Sequence, residues 1–132
     1  MPIRLTRRRA AQLAFSGAAA STALASSARA HHGWAWAEGE QATLTGTVQS
    51  LSMAPPHPSM HVQATDGVWF VELGNPFQTE RSGFTQASAK AGDTIVALGN
   101  RHLDKTKLHM KAVRVTVAGR TYDLYPERIR SN

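Results

Sequence analysis

Ala42-Thr43-Leu44-Thr45-Gly46-Thr47-Val48-Gln49-Ser50-Leu51 is the stretch on which the fold turns. Thr43, Thr45 and Thr47 alternate with Leu44, Gly46 and Val48. A period of two sends one set inward and the other toward solvent, which is the mark of a half-buried strand. A glycine inside such a strand signals a bulge or a sharp bend. A strand bent there can pair with different neighbours at its two ends, as the first strand of a small closed barrel must.

The chain downstream supplies the neighbours. Met53-Ala54-Pro55-Pro56-His57-Pro58 is a loop, because prolines cannot donate to a ladder. Met60 to Ala64 and Val68 to Leu73 are predicted as second and third strands. Thr65-Asp66-Gly67 turns between them, and Asp-Gly between apolar runs is a strong hairpin signal. Asn75-Pro76 ends the hairpin. Phe77 to Lys90 is the single helical candidate, short and broken by Gly83, with Thr85 placed to cap a second turn around Ala87 to Lys90. After the turn Ala91-Gly92-Asp93 come a fourth strand, Thr94 to Leu98, and a loop, Gly99 to Lys105. Lys107 to Val117 is a long fifth strand. Its apolar set runs Leu108, Met110, Ala112 and then Val113, Val115, Val117, so the phase slips at Ala112-Val113 and a bulge is expected there. Ala118-Gly119 turns into a last short strand, Arg120 to Tyr125. Three strands, a short helical connection and two long strands is the order of an OB-type barrel. The predicted fold is therefore all-β: a small five- to six-stranded OB-like barrel with one short helix. A small β-sandwich is the competing architecture.

Upstream, the first thirty residues have a different character. Arg4, Arg7, Arg8 and Arg9 form a positive region without an acid. Leu13 to Ala25 is apolar and Ala-rich, and Ala28-Arg29-Ala30 is a small-residue end. This order predicts a cleaved signal peptide, residues 1–30, followed by the barrel domain, residues 31–132. The apolar run is shorter than the roughly 20 residues a membrane span requires, so no span is expected after cleavage. Thr6-Arg7-Arg8-Arg9 is compatible with a twin-arginine signal, and a Sec signal fits as well. Either route predicts a periplasmic or secreted protein. Cleavage after Ala25 would leave Ser26 first; cleavage after Ala30 leaves His31 first.

The signal also explains the charge. The whole chain is net +6, with 15 basic and 9 acidic residues. Five of the basic residues (Arg4, Arg7, Arg8, Arg9 and Arg29) and none of the acids lie before His31, so the remainder is close to neutral. The high pI therefore does not point to nucleic acid.

Several short motifs stand together in the later part: Ala30-His31-His32-Gly33-Trp34, Leu44-Thr45-Gly46-Thr47-Val48, Pro55-Pro56-His57, Trp69-Phe70-Val71-Glu72-Leu73-Gly74, Arg81-Ser82-Gly83-Phe84 and Gly92-Asp93. In this order they resemble a family of small exported bacterial proteins of unknown function. Pro56 departs from the pattern, where the family usually has Asn. The resemblance implies export and the fold. It implies no mechanism.

The chemistry must come from histidine. The chain has six His and no Cys, so imidazole is the natural transition-metal ligand. A first-position His31 has a free α-amine, which titrates near about 7.7–8.0, and a ring Nδ1 that can chelate the same ion. One more imidazole completes three nitrogens in a plane, a histidine brace, which suits Cu(II). His57 and His61 are the best sources of that imidazole, because Pro56 and Pro58 stiffen the loop beside them. His32 adjoins the first ligand, and Met60 offers a thioether. Strand alternation puts only one of Met60 and His61 inward, and core packing is the plainer role for Met60. His109, between Lys107 and Lys111, reads as a solvated strand face, and His102 sits among cations. Trp34 and Trp36 either pack the lead-in onto the barrel or wall a site.

The expected function is a periplasmic metal-binding protein, copper foremost, in binding, delivery or resistance. Its expected partners are the metal ion and an envelope protein. The alternative is a metal-free OB-type binding module for a peptide, a glycan or an envelope partner. No catalytic motif of a hydrolase, metalloprotease or phosphate-binding enzyme is present, so enzyme activity is not expected. A brace-type copper oxidase is a third, lesser reading.

Overall fold

The computed structural model describes residues 33–130, which belong to one compact unit. His31, His32 and the expected signal segment lie outside the described residues. Strand β1, Ala42–Ser52, sets the architecture. Its first half, Ala42 to Thr47, pairs antiparallel with β4, Thr94–Arg101. Its second half, Thr47 to Ser52, pairs antiparallel with β2, Ser59–Ala64. The change of partner falls at Gly46 and Thr47. A Cβ on Gly46 would run into the Gln63 carbonyl and lie 2.6 Å from Val62 Cγ1, so the two backbones can cross closely only because this residue lacks one.

The hairpin continues to β3, Gly67–Glu72, with Ala64 opposite Gly67 across the two-residue turn Thr65-Asp66. β4 pairs with β5, His109–Val117, and β5 pairs with β6, Arg120–Asp123. Parallel pairing of Phe70, Val71 and Glu72 on β3 with His109, Met110 and Lys111 on β5 closes the sheet. The result is a closed five-stranded barrel of order β3-β2-β1-β4-β5, with β6 as an extra strand beside β5 and, among the described residues, one short α-helix. This is the OB-like barrel, and closure rules out the sandwich.

The expected slip at Ala112-Val113 is present. Leu98 faces Arg114 while Gly99 faces Ala112, so Val113 is the unpaired extra residue. Its carbonyl instead accepts the N–H groups of Leu124 and Tyr125. The bulge lets Met110, Ala112, Val113, Val115 and Val117 all be buried with Val48, Val62, Val71 and Ile95. Burying each such aliphatic side chain contributes about 1.5–3 kcal/mol of transfer free energy.

Two expectations need correction. Gly99 to Arg101, read as loop, continue β4, because they pair with Ala112, Lys111 and Met110 of β5, and the lead-in adds a Glu38 N–H bond to the Arg101 carbonyl and a bridge between Ala37 and His102. These pairings outweigh the local turn signal. The helix α1, Pro76–Arg81, stops before Gly83 and does not resume. Asn75 caps it by accepting from Gln78 N at 2.8 Å, and Pro76 opens it. Thr85 instead closes an isolated turn, its N–H donating to Ser88 Oγ at 2.8 Å. Among the described residues no helix is long and apolar enough to cross a membrane.

Candidate functional site

The outer faces of β2, β3 and β5 meet on one wall of the barrel. Alternation on these strands turns Met60, Val62, Trp69, Val71 and Met110 inward, all of them buried. It turns Ser59 and His61 outward on β2, Phe70 and Glu72 on β3, and His109 on β5. Register places His61 beside Phe70, Phe70 beside His109, and Ser59 beside Glu72.

The lead-in crosses this wall and covers part of it. Leu103 N–H donates to the Trp36 carbonyl, Asn100 Nδ2 donates to the Glu38 carbonyl at 2.7 Å, and Lys105 pairs with Glu38 at 2.5 Å. Trp36 is thereby laid on His109, ring centroids 4.0 Å apart and planes 17° from parallel. His102 stacks on Trp36 at 5.4 Å and lies 5.7 Å from His109. Phe70 lies 5.1 Å from His109, and His61 lies 5.4 Å from Phe70. Trp34 packs edge-on to Tyr125 at 5.1 Å, with the Arg128 guanidinium 4.0 Å and the Lys111 ammonium 5.3 Å from its ring centroid. Both indoles therefore pack the lead-in onto the barrel.

At the centre of this wall His109 Nε2 stands 3.3 Å from Glu72 Oε2. Both atoms are buried, and among the described residues neither makes an aligned hydrogen bond. Burial pushes the His109 pKa below its ordinary 6.5; the Glu72 charge opposes that, and His102 and Lys107 add to it. The imidazole is therefore neutral at neutral pH and keeps a lone pair. The solvated reading of this strand face is thus corrected. His109 lies under Trp36, and Lys111 is only 2% exposed, with a pKa lowered by burial. Sequence reasoning missed Glu72 and His109 because the parallel β3–β5 pairing that joins them links segments with no local signal for each other.

The residues singled out from sequence occupy different surroundings. His57 stands in the proline loop, two residues before Ser59, and its Nδ1 is buried without a hydrogen-bond partner among the described residues. The loop is tied to β3 by the Leu73 N–H, which donates to the Pro58 carbonyl at 2.9 Å. His61 is exposed, its Nδ1 3.1 Å from Ser50 Oγ. Met60 lies in the barrel interior, fully buried, on the opposite face of β2 from His61. His31 and His32 are outside the described residues. His102 Nδ1 accepts from Asp104 N at 2.9 Å, leaving its Nε2 free of that bond. Among the described residues no three of His, Cys, Asp and Glu gather closely enough to hold a metal ion.

A separate feature opens at one mouth of the barrel. A cavity of about 500 Å³ is lined by Thr43, Thr45, Asp66, Trp69 and Arg101 among others. The Arg101 guanidinium lies 5.0 Å from the centroid of the Trp69 ring, and Trp69 Nε1 donates to Asp66 at 2.8 Å.

Fold and wall together define a small OB-like barrel carrying an imidazole–carboxylate pair under an indole. The chain belongs to DUF6152, a family of unknown function, whose model matches residues 19–110. A comparison with curated proteins gives no match. Among solved structures, the crystal structure of the ZRD-deleted mutant of TiaS in complex with agmatine is similar, with a TM-score of 0.50 and 14% identity. The likeness covers 69% of this chain and 28% of that one, and concerns the fold alone.

Proposed function

We propose that the protein is exported from a bacterial cytoplasm and works in the periplasm as a metal-binding protein, with copper as its metal, in binding, delivery or resistance. The ligands are the amine and imidazole of a first-position His31 and the imidazole of His57. Three nitrogens of this kind suit the tetragonal preference of Cu(II), and a chain without cysteine leaves imidazole as the natural donor.

The observation that carries this reading is the Nδ1 of His57, which is buried and has no hydrogen-bond partner among the described residues. Buried polar atoms are nearly always paired, so an unpaired imidazole nitrogen in a proline-stiffened loop calls for a partner. A metal ion is one that exploits its lone pair. Replacing His57 with Ala in the exported protein is expected to weaken Cu(II) binding by about tenfold or more, read by competition with a chelator. Unchanged affinity would contradict the assignment of His57.

A second reading is supported by the cavity at the barrel mouth. There Arg101, its guanidinium 5.0 Å from the Trp69 ring centroid, lines the cavity with Thr43 and Thr45, and the occupant would be a peptide or glycan segment. In that reading the protein is a metal-free binding module for an envelope partner. Arg101→Ala would then abolish partner binding while leaving Cu(II) binding unchanged.

A further inference from the structure

We infer that His109 and Glu72 are the two protein ligands of a further divalent-metal site, for Zn(II) or Cu(II), on the outer wall of the barrel beneath Trp36. The pair shares no residue with the His31–His57 proposal and stands or falls apart from it.

Geometry comes first. Nε2 and Oε2 are 3.3 Å apart. Two donors each about 2.0–2.2 Å from one ion, at a near-tetrahedral angle, are separated by about that distance. The approach is that of an ion pair, but among the described residues neither atom makes an aligned hydrogen bond. A buried carboxylate oxygen and a buried imidazole nitrogen without an aligned hydrogen bond are each costly. A shared cation removes both costs at once.

The donor set comes next. One imidazole nitrogen and one carboxylate oxygen match the borderline ions Zn(II) and Cu(II). The pair is also held in place. Phe70 and His109 face each other across the parallel β3–β5 ladder, with Phe70 N–H donating to the Leu108 carbonyl at 2.9 Å. Trp36 stacks on the imidazole, and Phe70 lies tilted beside it. His102 N–H donates to the His109 carbonyl at 2.8 Å, so the backbone that carries the ligand is fixed as well. Two strands of one closed barrel thus hold the donors, which lowers the entropy lost when an ion binds.

The test uses the exported protein with His57→Ala and one extra residue ahead of His31, so that the first proposed site is disabled. Zn(II) is diamagnetic, and the side-chain nitrogen resonances of His109 can be followed by NMR during titration. The expected result is a saturable shift of His109 Nε2 at one equivalent of Zn(II), with an affinity reduced about tenfold or more by Glu72→Gln. His61 and His102 resonances should move much less. If His109 Nε2 does not move at saturating Zn(II), or moves identically in the Glu72→Gln protein, the inference is overturned. Should Glu72→Gln fail to fold, the His109 resonance in the parent protein decides alone.

Discussion

The hydroxyl of Tyr125 accepts the backbone N–H of Asn75 at 2.9 Å, and the ring is buried against Trp34. Burial raises the phenol pKa above its ordinary 10.0, with the Asn75 hydrogen bond and Arg128 acting the other way. A raised folded-state pKa means that the stability it contributes is fully present below about pH 10. That stability is lost as pH climbs through the raised value, because the unfolded chain ionises first. Tyr125→Phe keeps the ring and leaves the Asn75 N–H unpaired, so it should cost about 1–3 kcal/mol near neutral pH. The gap between the two proteins should narrow above pH 10. Urea melts at pH 7 and at pH 10.5 check this, and a gap that widens with pH would refute the sign.

Single residues also show what sequence can and cannot reveal. Alternation on β2 was enough to expect Met60 and His61 on opposite faces, and they are. The same rule applied to β5 misread His109, because alternation gives the face and says nothing about what covers it. Trp36 covers it, from a lead-in some seventy residues away, and that contact has no trace in the residues around His109.

At the scale of elements, β1 is the clearest case. Its glycine marked the crossing of two partners before any neighbour was known, and the Cβ-free approach to Gln63 and Val62 is the physical reason. Gly99 does the same on β4, where a Cβ would strike the Lys111 carbonyl and lie 2.8 Å from Ala112 Cα. Both obstacles include backbone, which cannot turn aside. Gly46→Ala and Gly99→Ala should therefore each destabilise the protein by at least about 1–3 kcal/mol. Gly39→Ala, with open space around its Cβ position, should change stability by no more than roughly 0.5 kcal/mol. Thermal melts of the three variants test this, and equal midpoints would contradict it. The bulge at Val113 was legible as a slip in the apolar phase. The end of β4 was not, because glycine, asparagine and arginine there look like a loop until β5 and the lead-in pair with them.

At the scale of the whole molecule, strand order predicted the barrel, while closure through β3 and β5 had to come from the structure. That closure matters for the chemistry, since it brings Glu72 and His109 together although they are far apart in the chain. The electrostatic argument also belongs to this scale. Basic residues cluster before His31, so a protein beginning there is nearly neutral and should show no salt-dependent affinity for DNA. A filter-binding titration at low salt checks this, and tight DNA binding by the protein starting at His31 would contradict it.

The central claim is that the first residue of the exported protein is a metal ligand through its own amine. Adding one residue ahead of His31 keeps every imidazole and removes only that amine from His31. The direct measurement is Cu(II) affinity, by competition with a chelator, for the protein starting at His31 and for the same protein extended by that residue. Extension is expected to cause a sharp loss of affinity. Equal affinities would contradict it.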